Sequence, residues 1–234
     1  MISVILPAYN ESASIGPLIA EIRSALAGRD FEIIVADDGS PDGTADRVEA
    51  IGDARVRVLR RTGERGLAVS IRDGIRTSRG DIIILMDSDF NHSPAYLPIL
   101  VDNSRHYDCV IASRFLYGGG MREAWRNWAS WSFNIFVRIM TGGTITDCLY
   151  GYLAVRRETL FSCDFDRIFW GYGDYCIRLL YYLQKRKTSI LQIPALNGTR
   201  REGRGNRRFA WVLYQYTREV VKLALRERFR GGRP

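Results

Sequence analysis

The chain has 234 residues, 46% of them hydrophobic and 26% charged, too rich in core formers for a disordered segment. The length suits one large domain, or a domain with an extension. Net charge is +8 and unevenly placed: from Arg200 onward there are eleven Lys/Arg and three Asp/Glu, whereas the residues before it carry 23 of each sign.

"ISVILPAY" at the start is a β-branched run that reads as a strand stopped by Pro7. Residues 12–27 have apolar residues at helical spacing, with Ser12 or Ser14 as the cap. "FEIIVADDGSPDGT" reads as strand then turn, Thr44 to Ile51 as a helix, and "VRVLRR" as a strand. Residues 66–78 read as a helix, "DIIILMD" as a buried strand and "YDCVIASR" as another strand. This alternation predicts an α/β fold, a parallel-type sheet with helices on both faces. The second half is less regular. Helices are predicted over 124–140, with Trp125, Trp128 and Trp131, and over 174–185. A basic amphipathic helix is predicted over 209–229, its apolar stripe formed by Phe209, Leu213, Tyr216, Val220 and Leu223.

No apolar run approaches the ~18–20 residues of a membrane span. No signal-peptide pattern precedes the first strand, and Cys109, Cys148, Cys163 and Cys176 have no CxxC spacing. Reduced thiols and a cytosolic setting are the expectation, with no structural zinc.

In sheets of this kind ligands bind beyond the carboxyl ends of the strands. The acidic residues gather there: Glu11 after the first strand, Asp37 and Asp38 after the second, Asp87 and Asp89 after the fourth. Asp87 and Asp89 repel one another unless a cation lies between them. With the amide of Asn91 they form a hard-oxygen set for Mg²⁺ or Mn²⁺, able to neutralise a diphosphate leaving group. An ordinary Asp-rich turn is the alternative. In "ADDGSPDGT", Asp37 and Asp38 can accept hydrogen bonds from ribose hydroxyls or base N–H groups, while Gly39 and Gly43 allow a tight turn. His92 and His106 are the only histidines. A structural or solvent-facing role for His92 is favoured over a metal role.

Five segments occur in order: "VILPAYNES", "VADDGSPDGT", "RGLAVSIRDGIRTSRGDIIILMDSD", "VIASRFLYGGG" and "ITDCLYGYLAVRR". Together they resemble the family 2 glycosyltransferases with the GT-A fold, a Rossmann-like, mixed and mostly parallel sheet. With "GYGDYCIRLLYY", they look most like the dolichol-phosphate mannosyltransferase branch, which uses polyprenyl phosphates. The resemblance covers roughly residues 2–210. It implies a GT-A domain over 1–208; the basic amphipathic helix and tail over 209–234 read as having no transmembrane segment, a departure from the many relatives with C-terminal transmembrane helices.

The resemblance implies an inverting, metal-dependent transfer of a hexose, with GDP-mannose the first donor expected and UDP-glucose the second. Pro7, Ala8, Tyr9 and Glu11 then line the base, and Asp37 and Asp38 the base and ribose. Asp87, Ser88, Asp89 and Asn91 fall at the metal and diphosphate. Arg114, Arg126 and Ser130 match the residues that grip the acceptor phosphate, for which a guanidinium fork is suited. Asp174 matches a position that is acidic in relatives. It is the candidate base for a hydroxyl acceptor, an orienting group for a phosphate acceptor, or a helix N-cap. "RREGRGNRR" retains Arg200 but has Gly205 and Asn206 where relatives carry Ser and Lys, so Arg207 is the replacement charge.

The basic tail and the tryptophans suggest docking on the cytoplasmic face of an anionic membrane, or a membrane-anchored partner protein. The tryptophans packed into the core are the alternative. Aromatic residues interleaved with arginines in the tail also suit nucleic acid. That reading fails because the acidic strand ends would repel a polyanion.

Overall fold

A computed structural model describes residues 1–198 and 209–230. The first half alternates β1 (Ile2–Ala8), α1 (Ile15–Ala25), β2 (Phe31–Asp37), α2 (Thr44–Glu49), β3 (Val56–Arg60), α3 (Leu67–Thr77) and β4 (Ile82–Leu85). A 3₁₀ turn at Pro94–Tyr96 leads into α4 (Leu97–Asn103) and then β5 (Cys109–Ser113). The second half holds α5 (Ala124–Thr141), β6 (Leu153–Arg156), α6 (Arg157–Phe161), α7 (Phe165–Ile168), α8 (Tyr175–Lys185), β7 (Ile190–Pro194) and α9 (Phe209–Arg230).

One seven-stranded sheet runs in the order β3-β2-β1-β4-β6-β5-β7. β1 to β4 are mutually parallel where they pair, β6 is antiparallel to both β4 and β5, and β5 is parallel to β7. The sheet is therefore mixed, split by one reversed strand. Alternate residues feed two cores. Val4, Leu6, Ile33, Val35 and Ile84 meet Leu18, Ile22, Leu97 and Leu100 of α1 and α4. Ile5, Ile34, Ile83 and Leu85 meet Ile71, Ile75, Val137, Ile177 and Leu180 of α3, α5 and α8 on the other face. Burying each such side chain stabilises by about 1.5–3 kcal/mol.

Three expectations change. Pro7 does not stop β1, which continues to Ala8. The Pro7 carbonyl accepts from Ser88 Oγ at 2.7 Å, on the β4 side. Its missing N–H faces the same side, where the ladder with β4 has already ended at the Ile5–Leu85 pair. Ser14 occupies the N-cap of α1 but makes no side-chain cap bond. Its hydroxyl donates to Glu11 Oε2 at 2.6 Å instead.

The third change concerns the tail helix. Val220, Leu223 and Ala224 are buried, and Tyr216 packs on the second core beside Phe133 of α5. Most of the described stripe thus faces the protein. Trp211 and Tyr214 of α9 are exposed instead, as are Trp125, Trp128 and Trp131 of α5. Among the described residues no helix is long and apolar enough to cross a membrane. The four cysteines are buried and unpaired.

Candidate active site

The carboxyl ends of β1, β2 and β4 open onto a cavity of about 580 Å³. Pro7, Ala8, Tyr9, Glu11, Asp38, Asp87, Ser88, Asp89 and Asn91 all line it. Parallel pairing explains this convergence: Ala8 lies beside Asp37 and Ile5 beside Leu85, so the three strands release their following loops at one edge.

The loops are tied to each other. Thr44 Oγ1 accepts from Glu11 N at 2.9 Å, and Ser40 Oγ accepts from Asn10 N at 3.0 Å. Asp42 accepts from Ser12 N at 3.0 Å and from Thr44 N at 3.0 Å. Burial raises the pKa of Asp42, but hydrogen bonds from Thr44 and Ser12 outweigh it and leave the carboxyl below its ordinary value.

The two aspartates after β2 are placed differently. Asp38 lines the cavity, where its oxygens accept from Arg61 Nη1 and from Gly66 N, the latter at 2.8 Å. Arg61 also donates to Asp73 at 2.9 Å and to the Glu64 carbonyl at 2.8 Å, so it fixes Asp38 against the loop before α3. Asp37 is turned into the fold, away from the cavity, which corrects its placement at the base and ribose. Its Oδ2 accepts from Ser40 N at 3.1 Å, while its buried Oδ1 has no partner among the described residues.

Beyond β4, the chain bends at Phe90, which is buried in the left-handed conformation at φ 69°. That is a costly place for a bulky side chain. The bend lets Asn91 reach back: its backbone N–H donates to Asp89 Oδ1 at 3.0 Å and its Nδ2 to Asp89 Oδ2 at 2.9 Å. His92 holds the other aspartate, its Nδ1 accepting from Asp87 N at 2.8 Å and its Nε2 donating to the Tyr150 carbonyl at 2.8 Å. Its ring stacks on Tyr152 with centroids 4.7 Å apart. Burial pushes its pKa down to about 4, so the imidazole is neutral and structural.

No group of three or more His, Cys, Asp or Glu suited to a metal occurs among the described residues. Two carboxylates sharing one cavity fit an ion such as Mg²⁺, which is held by one or two carboxylates and completes its shell with phosphate oxygens and water.

Five lining residues were not among the sequence candidates: Arg65, Gly66, Leu67, Ser70 and Tyr172. Arg65 donates to the Gly39 carbonyl at 2.9 Å and stacks 5.0 Å above the Tyr9 ring, forming one rim. The "RTGERG" stretch before α3 offered no periodicity to mark it.

Asp174 does not line the cavity. It is buried, and its carboxylate accepts from Tyr172 N at 2.9 Å and from Arg178. Its backbone lies at the N-cap of α8, but its side chain makes no cap bond. Its carboxylate is engaged by Tyr172 and Arg178 rather than facing the cavity.

Of the three acceptor-site candidates, two meet. Arg114 Nη2 donates to Ser130 Oγ at 3.3 Å. The guanidinium is buried and paired in fork geometry with Asp147, at 2.7 Å and 2.9 Å. Burial lowers the Arg114 pKa, but Asp147 more than offsets this and raises it overall. Asp147 was not a sequence candidate. A buried arginine requires a counter-charge, and the aspartate of "ITDCLYGYLAVRR" was the available signal. Arg126 is apart from this pair, exposed in the first turn of α5 and bound to Glu123 at 3.0 Å. Arg200 and Arg207 lie outside the described residues.

Residues 3–162 match the family described as Glycosyl transferase family 2. An undecaprenyl-phosphate mannosyltransferase of Micrococcus luteus is 37% identical over 81% of this chain and 80% of its own. A dolichol-phosphate mannosyltransferase of Pyrococcus furiosus is 28% identical over 95% of this chain, which spans 63% of that protein's length. Among solved structures, glucosyl-3-phosphoglycerate synthase from Mycobacterium tuberculosis, in complex with Mn²⁺, UDP and phosphoglyceric acid, superposes with a TM-score of 0.72. That likeness is at 27% identity and covers 100% of this chain and 79% of the synthase. The fold is GT-A, and the chain belongs to glycosyl transferase family 2, in its polyprenyl-phosphate branch.

Proposed function

We propose that this glycosyltransferase moves mannose from GDP-mannose to a polyprenyl or dolichyl phosphate with inversion at the anomeric carbon. One observation carries the reading: Asp87 and Asp89 share a cavity at the strand ends with Pro7, Tyr9 and Asp38. Relatives named as polyprenyl-phosphate mannosyltransferases support the choice of sugar and acceptor.

In this reading the base and ribose lie against Pro7, Ala8, Tyr9, Glu11 and Asp38. Asp87, Ser88, Asp89 and Asn91 face the diphosphate. A Mg²⁺ or Mn²⁺ ion bound there supplies charge neutralisation for the leaving group. The acceptor phosphate is largely a dianion at pH 7, since its second pKa lies near ~6, so no strong base is required. Its oxygen bonds to the anomeric carbon as the bond to the nucleoside diphosphate breaks, and that electron pair departs with the diphosphate. Ser130 and Arg126, one turn apart on α5, receive the acceptor phosphate beside the Arg114–Asp147 pair. Arg200 and Arg207 supply further positive charge to the donor.

We place the protein at the cytoplasmic face of an anionic membrane, by peripheral docking or through a membrane-anchored partner, with α9 and α5 as the membrane side. Exposed Trp125, Trp128, Trp131 and Trp211 support this placement, since tryptophan favours the headgroup layer.

The likeness to the synthase solved with UDP and phosphoglyceric acid supports a second reading, UDP-glucose with a soluble acceptor. A thermal-shift screen of nucleotide sugars with and without Mn²⁺ separates the donors, because a bound ligand raises Tm by mass action. Transfer assays with undecaprenyl phosphate and with phosphoglycerate separate the acceptors. Metal-independent stabilisation, or transfer to neither phosphate, would overturn the proposal.

A further inference from the structure

Tyr172 reaches the donor cavity from a loop that two helices hold from behind. The loop joins α7 to α8 and reads "FWGYGD" from Phe169 to Asp174. On its inner side, Arg178 of α8 donates through Nε to the Ile168 carbonyl at 2.9 Å, and through its two other nitrogens to the Trp170 carbonyl and to Asp174. Its guanidinium also lies 3.8 Å above the Trp170 ring. Both Arg178 and Asp174 are buried. Asp174 passes the restraint onward through its 2.9 Å bond from Tyr172 N. Gly171, at φ +75°, makes the turn, and a Cβ there would stand 3.0 Å from Asp174 Oδ1.

The second hold comes from the C-terminal helix. The phenol oxygen of Tyr216 on α9 lies directly against the Gly173 backbone. A Cβ on Gly173 would fall onto that oxygen, yet would lie 3.4 Å from the ring carbon bearing it. Gly173 has no left-handed φ, so the close approach of Tyr216 is what requires glycine there. Burial pushes the Tyr216 phenol well above its ordinary pKa, so it keeps its proton. Behind it, the Tyr216 ring packs on Phe133 of α5 at 6.4 Å between centroids. Ahead of it, the loop abuts the donor cavity: the Gly171 carbonyl stands 3.6 Å from where a Gly66 Cβ would be, and Gly66 lines the cavity with Tyr172.

We infer that Tyr216 and Arg178, with Asp174 between the loop and Arg178, form a bracket that positions Tyr172 at the donor cavity, so that α9 is part of the framework of the active site. Tyr216, Arg178 and Asp174 are positioning residues. The inference deepens the proposed function and rests on the donor occupying that cavity.

The test uses the full chain and two readouts: amide exchange of residues 170–174, and mannose transfer from GDP-mannose to undecaprenyl phosphate. Tyr216→Phe keeps the ring and removes the hydroxyl. It is expected to speed loop exchange about three- to tenfold, through loss of the phenol oxygen's contact with Gly173, and to lower kcat/KM by a comparable factor. Gly173→Ala alone is expected to lose more. Combined with Tyr216→Phe it returns to the level of Tyr216→Phe alone, because the added methyl then meets only the ring. Arg178→Lys keeps the charge but loses the fork, and is expected to speed exchange as well.

Wild-type exchange in Tyr216→Phe, or additive losses in the double variant, would overturn the bracket. Asp174→Asn is expected to speed loop exchange and to reduce turnover together. Abolished turnover with wild-type exchange would overturn the positioning role and make Asp174 a catalytic group. If the wild-type enzyme transfers no mannose to undecaprenyl phosphate, the proposed function fails while loop exchange still decides the bracket.

Discussion

Asp89 is buried at the cavity with each oxygen held by Asn91, so Asp89→Asn alters charge with little change of shape. Transfer is expected to fall about a hundredfold or more, with loss of Mn²⁺-dependent GDP binding by calorimetry. Tm should hold or rise, because a like-charge repulsion with Asp87 is relieved. Glu32 sits at the opposite end of β2 and makes a pH prediction. Burial raises its pKa, but bonds from Ser3 Oγ and Arg79 N, both 2.6 Å, together with Arg57, outweigh this and lower it below 4.5. A depressed carboxylate contributes stability above its unfolded pKa and loses it as pH falls through the folded value. Glu32→Gln should therefore be less stable at pH 7 but show a flatter loss of Tm as pH falls below about 5. Asp38, Asp87 and Asp89 were legible as cavity residues because carboxylates crowd there at strand ends, whereas the inward turn of Asp37 was not. Asp147 and Arg65 were not legible either, since their partners are distant in sequence and only the fold supplies them.

The strands β1 to β5 and the helices α1 to α3 were legible to within a few residues, because period and turn chemistry agree there, whereas the seven-residue α4 was not read from the sequence. β6 and β7, with four and five residues, fall in a stretch where short apolar runs fit either helix or strand. α9 was legible as an amphipathic helix, but its stripe could not say whether lipid or protein covers it. Val220 decides that, being 1% exposed in the core shared with Val137 and Ile177. Val220→Ala should cost about 2 kcal/mol, read by urea unfolding. Deleting α9 is accordingly expected to lower Tm and to expose apolar surface to dye, rather than to leave an intact domain that merely ignores lipid.

At the scale of the molecule, the exposed tryptophans of α5 and α9 and the basic tail predict binding to acidic vesicles. Each basic residue near such a surface contributes about 1 kcal/mol, screened within a Debye length. Cosedimentation should rise with acidic lipid and fall with salt, and Trp128→Ala should weaken it. Equal recovery in the supernatant under all conditions would point to a soluble acceptor or a protein anchor. The reversed strand of the sheet bears on synthesis. β1 to β4 can pair as soon as β4 is made, but β5 pairs only with β6 and β7. Ser113 therefore leaves the ribosome long before Leu153 arrives, and at roughly 5–20 residues per second β5 waits for seconds with both edges bare. Nascent chains stalled shortly after Ser113 should be held by chaperones, and protease resistance should appear only once Pro194 has emerged.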